Sequence, residues 1–181
     1  MLDKKHIKYF KKILPVDFVL SEEGDCWAYG YDNSKMHVMP ECVLFADSKA
    51  QIKDIVRYCF ENTIPITTRG RGTGNTGGSV PIENSVVLSL EKMNKIIDID
   101  ISNRLAVVQP GVINKVLQDE LQKENFFWGP DPSSQDYSTI GGNIANNSAG
   151  PRAIKYGTPR DNILGLEFIS GTGEIHKTGV K

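Results

Sequence analysis

Ten consecutive residues, Arg69-Gly70-Arg71-Gly72-Thr73-Gly74-Asn75-Thr76-Gly77-Gly78, join five glycines to two arginines and two threonines, with no acidic residue among them. Glycine lets backbone N–H groups approach a ligand with no Cβ in the way, and arginine adds fixed positive charge. The run therefore has the chemistry of an anion cradle, suited to a phosphate or pyrophosphate. A flexible linker is the plainer reading of so many glycines. Linkers lean on serine and acidic residues rather than arginine, however, and this run lies between two β-type stretches, residues 64–68 and 86–90.

A second cluster follows. Pro130-Asp131-Pro132-Ser133-Ser134 leads into Thr139-Ile140-Gly141-Gly142-Asn143-Ile144-Ala145-Asn146-Asn147-Ser148-Ala149-Gly150. Its glycines and alanines leave the backbone open to a flat or extended ligand. Thr139, Asn143, Asn147 and Ser148 supply donors and acceptors for a polar ring edge or a ribitol chain. A tight helix–sheet crossing built from small residues would explain the glycines, but not four neighbouring amides and hydroxyls. Two such clusters suit a long cofactor with a diphosphate middle.

The motif strings narrow the choice. Gly72 to Gly77 matches G-x-G-x-x-G, but a dinucleotide fingerprint needs a helix opening inside the motif. Residues 78–85 contain Pro81 and no helical period, and a strand comes next. No G-K-[ST] follows the loop, so a Walker ATP site is excluded together with a Rossmann NAD site.

The elements that must position these loops can be read in order. Asp3 caps a helix to about Leu14, with Ile7, Phe10, Ile13 and Leu14 inward and Lys4, Lys5, Lys8, Lys11 and Lys12 outward. That basic face reads as solvated rather than as a membrane contact. Residues 38–46 form a strand, and Ser48 and Gln51 form a capping box. Ile52, Ile55, Val56, Cys59 and Phe60 make a buried helical stripe, and residues 64–68 make a second strand, giving a parallel β-α-β unit. Residues 95–108 read as a hairpin, and Val112, Val116, Leu117 and Leu121 as a helix face. Residues 129–161 are polar and too long to be an idle connection. Two further strands, 163–170 and 174–178, pair across Gly171-Thr172-Gly173.

Composition sets the class. The chain has 181 residues, a formal charge of −1, 39% hydrophobic and 24% charged residues, as in ordinary globular proteins. A near-neutral charge argues against a general nucleic-acid binder. Cys26, Cys42 and Cys59 form no C-x-x-C pair, so buried, reduced thiols and a cytoplasmic location are expected. His6, His37 and His176 have no metal-ligand spacing, and no run reaches membrane-spanning length.

These motifs, in this order, resemble the FAD-binding domain of the vanillyl-alcohol-oxidase/p-cresol-methylhydroxylase superfamily, and within it the glycolate oxidase GlcD-subunit and D-lactate dehydrogenase branch. The resemblance rests on residues 65–78, Val107-Val108-Gln109-Pro110-Gly111, residues 130–135, residues 139–150, Lys155-Tyr156-Gly157, Arg160-Asp161-Asn162, and the closing Gly171-Thr172-Gly173-Glu174 and Lys177-Thr178-Gly179. It implies an α+β, two-lobed FAD-binding PCMH-type domain. A small β-α-β lobe spans about 38–90 and a mixed α/β lobe about 91–181, after an N-terminal helix and lead-in at 1–37. The domain is expected to be truncated at the C-terminus.

By the same resemblance, Arg69 to Gly78 cradles the FAD pyrophosphate, with Arg69 or Arg71 neutralising its charge. Pro130, Asp131, Pro132 and Ser133 lie along the flavin. Thr139, Gly141, Gly142, Asn143 and Asn147 contact the isoalloxazine and ribityl region, and Gly150, Tyr156 and Gly157 line the rest of the path. Members that attach flavin covalently through the first loop carry histidine where this chain has Asn75, so non-covalent FAD is expected, and no metal. The implied chemistry is hydride transfer from a small 2-hydroxy acid, such as glycolate or D-lactate, to the flavin. Electrons then leave to partner subunits or another acceptor. Family enzymes are much longer, and their catalytic base and substrate ligands lie on a cap domain this chain lacks. The fragment alone is therefore expected to lack turnover, and the full enzyme to associate with membranes at most peripherally. UDP-N-acetylenolpyruvoylglucosamine reductases share the architecture, but residues 130–134 and Lys155-Tyr156-Gly157 favour the hydroxy-acid branch. A non-catalytic FAD-binding module is the third reading.

Overall fold

The computed structural model describes residues 2–179; Met1, Val180 and Lys181, which the sequence reading places in its outermost segments, lie outside the described residues. The chain divides into two compact units, Met1–Lys92 with Gly165–Lys181, and Met93–Leu164.

In the first unit, helix α1 (Lys4–Ile13) starts where the Asp3 carboxylate accepts the Lys5 N–H at 3.1 Å, and it buries His6 and Phe10. A 3-10 turn (Val16–Phe18) leads to strand β1 (Val19–Leu20) and the short helix α2 (Glu23–Trp27). Strand β2 (Cys42–Phe45), helix α3 (Lys49–Glu61), strand β3 (Ile66–Arg69) and strand β4 (Val86–Ser89) complete the sheet. Its order is β1-β2-β4-β3, with β4 parallel to both neighbours and β1 antiparallel to β2. The expected parallel β-α-β unit is present, with β4 inserted between its two strands.

Strands β2 and β4 are buried on both faces, as continuous apolar runs in a parallel sheet must be. One face packs Leu44, Val86 and Leu88 against Phe10, Ile55 and Cys59; the other packs Val43 and Val87 against Cys26. At α3 the Ser48 hydroxyl accepts the Gln51 N–H, while the Gln51 side chain accepts the Asp47 N–H at 2.9 Å, one residue outside the standard box. Ile55 and Cys59 are fully buried, but Phe60 is 60% exposed. At 3.6 residues per turn Phe60 lies roughly 80° around the helix from Ile52, at the margin of the stripe. The three cysteines are free and buried. Burial pushes the Cys26 thiol up to about 11 and Cys59 up to about 12, and raises Cys42 further, so all three are unreactive thiols at neutral pH.

In the second unit, strands β5 (Ile96–Asp100) and β6 (Leu105–Val108) pair antiparallel. The Asp100 carboxylate accepts both the backbone and the side-chain N–H of Asn103, and Arg104 turns at φ 54. Helix α4 (Asn114–Gln122) buries Leu117 and Leu121 with Val112 and Ile140, whereas Val116 is about half exposed. The polar segment after it carries three short helices, α5 (Ile140–Asn146), α6 (Ala153–Tyr156) and α7 (Pro159–Asn162).

Strands β7 (Gly165–Ile169) and β8 (Ile175–Gly179) form the last hairpin. The sequence reading placed this hairpin in the second lobe; it groups with the first unit. Lys49 at the start of α3 pairs with Glu167 at 2.6 Å, and Gly173 sits against Arg57. Among the described residues, no helix is long and apolar enough to cross a membrane.

Candidate functional site

The glycine loop of the first unit runs from the end of β3 to the start of β4 with no helix in between. Two of its carbonyls are engaged inward, Thr73 O and Gly74 O accepting from the side chain and N–H of Asn33, and Gly77 O closes a local turn by accepting the Val80 N–H at 3.1 Å. Among the described residues, no backbone N–H from Gly70 to Gly78 donates to another protein group. In a trans peptide the C=O of one residue and the N–H of the next point in opposite directions. Inward carbonyls at Thr73 and Gly74 therefore turn the N–H groups of Gly74 and Asn75 outward. Gly72 and Gly77 have φ of 65° and 78°, the left-handed region that favours glycine. Asn75 and Thr76 are exposed at the tip.

The two arginines do not stand where the sequence suggests. Arg69 is only 6% exposed. Its Nη1 donates to Tyr31 O at 2.7 Å and Ser79 O at 3.4 Å, its Nη2 to Ala28 O at 3.4 Å, and its guanidinium lies over the Tyr29 ring. Burial pushes its pKa down, against the pull of Glu91, Tyr29 and Asp32. Arg71 is exposed and pairs with Glu91 at 2.5 Å. Neither guanidinium is thus an uncommitted charge beside the loop.

Asp32, which the sequence reading passed over, is 3% exposed and accepts the Ser34 N–H at 2.8 Å and the Ser79 hydroxyl at 3.4 Å. Burial raises its pKa, but the hydrogen bonds from Ser34 and Ser79 outweigh this and hold it below the usual carboxylate range. The signal was present in Asp32-Asn33-Ser34, whose short polar side chains favour turns.

The second unit gathers the other predicted residues into one cluster. Thr139 caps α5 by accepting the Gly142 N–H at 3.1 Å. The Gly141 N–H donates to Pro110 O at 2.8 Å, and a Cβ on Gly141 would stand 2.7 Å from Pro110 Cβ. The small-residue crossing therefore accounts for Gly141. Asn143 is buried: its Oδ1 accepts from Asn114 Nδ2 at 2.9 Å, and its Nδ2 donates to Ser138 Oγ at 3.0 Å. Asn114 Nδ2 also reaches Pro130 O, while Asn114 Oδ1 is buried without a partner among the described residues. Asn147 ends α5 in the left-handed region, and its side chain accepts the Arg160 N–H at 3.0 Å.

Gly150 packs on Asp131, whose N–H donates to Ala149 O and whose carboxylate accepts from the backbone and Nε of Arg152. Gly157, with φ 80°, sits beside Asp161. The Asp161 carboxylate accepts the Thr158 N–H and hydroxyl, which hold its pKa below the usual range. Pro130 and Pro132 are buried and Ser133 is exposed. Tyr156 is partly exposed, edge-on to Phe127. Most of the predicted polar side chains here hold one another in place; Ser133 and Tyr156 keep hydroxyls that no described residue engages.

This donor set fits FAD: the first loop offers unengaged N–H groups and no carboxylate of its own to an anion, and the second cluster offers small residues and free hydroxyls. Comparison with known proteins agrees. Residues 40–179 match the FAD-binding domain family. Over 154 residues the chain is 42% identical to the glycolate oxidase subunit GlcD of Bacillus subtilis, covering 84% of this chain and 33% of that protein. It is 36% identical to the D-lactate dehydrogenase of Anaerostipes hadrus, covering 96% and 36% of the two chains. Among solved structures, p-cresol methylhydroxylase with substrate bound superposes with a TM-score of 0.80 at 27% identity, covering 97% of this chain and 35% of that one. The chain thus spans about a third of the length of each of these proteins. The mixed α/β FAD-binding domain that the glycine motifs resemble is the one found, and the two relatives named are a glycolate oxidase subunit and a D-lactate dehydrogenase. The chain belongs to the FAD-binding domain family.

Proposed function

We propose that this chain holds FAD without a covalent bond and is the flavin-binding part of an oxidoreductase that oxidises a small 2-hydroxy acid of glycolate or D-lactate type. The observation that carries the reading is the glycine loop, with the carbonyls of Thr73 and Gly74 turned in and the N–H groups of residues 70–78 unengaged, in a chain of this family. Pyrophosphate oxygens on those N–H groups would form charge-assisted hydrogen bonds, each worth about 1.5–3 kcal/mol.

In the second unit, Ser133, Tyr156 and the small-residue surface at Gly142 are the proposed flavin contacts. Asp131, Pro132, Thr139, Gly141, Asn143, Asn147, Gly150 and Gly157 set the backbone path beneath them. Asn75 is an exposed amide whose nitrogen lone pair is delocalised, so it has no nucleophile with which to attach a flavin. Bound FAD supplies the hydride acceptor, and the chain supplies position and electrostatics.

Assaying the full-length protein with glycolate, D-lactate and a dye acceptor tests the substrate class. Dye reduction dependent on a 2-hydroxy acid is expected. NADPH consumption with a UDP-linked enolpyruvyl sugar, and none of the former, would move the protein to the cell-wall reductases instead.

A further inference from the structure

We propose that Arg69 is a positioning residue for the diphosphate loop, which shapes the N–H cradle by collecting main-chain carbonyls and never touches the ligand. This rests on the reading that the loop binds the FAD diphosphate. A guanidinium carries five donors in a rigid planar fork, and here Nη1 and Nη2 give three hydrogen bonds to main-chain carbonyls. Ala28 O and Tyr31 O lie in the segment before β2, and Ser79 O lies just past the loop. One side chain thereby ties the exit of the loop to a stretch about forty residues earlier in the chain.

Arg69 is anchored at its own backbone, where its carbonyl accepts the Leu90 N–H at 3.0 Å and its strand pairs with β4. A Cβ on Gly72 would lie 2.6 Å from Arg69 Cζ, so the loop wraps closely over the guanidinium. The neighbouring segment adds a second set of ties: Asn33 holds Thr73 O and Gly74 O, and Asp32 holds the Ser79 hydroxyl. Asn33 thus holds the loop by the carbonyls of Thr73 and Gly74, while Arg69 and Asp32 hold Ser79 at its exit by its carbonyl and hydroxyl.

Positioning and direct charge contact predict different outcomes for the charge-conserving variant. Arg69→Lys keeps the charge and loses the fork; Arg69→Gln loses both. If Arg69 positions the loop, both variants lower the affinity of the full-length protein for FAD by about 10- to 100-fold, the range set by losing a charged hydrogen bond. If Arg69 instead neutralises the diphosphate, Arg69→Lys keeps near wild-type affinity while Arg69→Gln loses it, and the proposal is overturned. Gly72→Ala keeps the arginine but sets a Cβ against its guanidinium, and should reproduce the loss by displacing it.

A ligand-free readout separates the two ideas. Amide order parameters for residues 70–78 of the unliganded chain should fall from about 0.85 to below about 0.6 in Arg69→Lys, with β2 and β4 unaffected. Unchanged loop order would overturn the role of Arg69 whatever FAD does. A wild-type protein that binds no FAD but loses loop order in the variant would instead overturn the ligand and keep the positioning role.

Discussion

Gly150→Ala lowers the stability of the second unit by about 3 kcal/mol or more and abolishes flavin retention. Gly150 has φ 77°, where an L-residue is strained by about 1–2 kcal/mol before any contact is considered. The added Cβ would also meet the main-chain carbonyl of Asp131 and come within 2.6 Å of its Oδ1. A backbone carbonyl cannot swing aside as a side-chain tip can. The Asp131 N–H donates to Ala149 O at 2.8 Å, so moving either strand of this contact breaks the hydrogen bond that joins residues 131 and 149. Gly78→Ala is the matched control, because nothing lies within 4 Å of its Cβ position; its stability should stay within about 0.5 kcal/mol of wild type. Urea unfolding midpoints of the two variants measure the difference, and equal midpoints would contradict the packing described for Gly150.

Asn143→Ala acts on the protein before it acts on any ligand. The side chain is 2% exposed and joins Asn114 to Ser138 inside the second unit. Removing it leaves buried polar atoms on both neighbours without their partner, a cost of about 1–3 kcal/mol for each group left unsatisfied. Asn114→Ala removes the other end of the same bond, together with the contact to Pro130 O. The double variant should therefore lose less than the sum of the single losses, with a coupling of about 0.5–3 kcal/mol. A residue that touched only flavin would leave the ligand-free protein as stable as wild type and weaken FAD alone. That outcome would restore the direct flavin contact implied for Asn143 by resemblance.

Asn143 also marks the boundary of what the sequence can say. Local chemistry is legible: Asp3 and Ser48 cap the helices they precede, residues 95–108 form the expected hairpin, and the missing helix after Gly78 excludes a dinucleotide fingerprint. The face of α5 was not legible, because α5 spans only seven residues and its orientation is set by packing against Pro110 and Asn114. The same holds for Arg69. A glycine-rich loop with arginines announces an anion, but no local rule states that the guanidinium will find carbonyls at Ala28 and Tyr31 and turn away from solvent. The hairpin of β7 and β8 is legible as a hairpin, whereas its grouping with the first unit involves contacts far apart in sequence, such as Lys49 with Glu167 and Gly173 against Arg57.

The most direct measurement is FAD titration of this chain, and of the full-length protein, with unbound flavin removed by gel filtration and the visible spectrum recorded before and after denaturation. The loops described here predict that flavin is retained by the folded protein and released completely on denaturation. Folded protein of both lengths holding no flavin would contradict the assignment of the glycine loop, and flavin remaining on the denatured polypeptide would contradict its non-covalent binding.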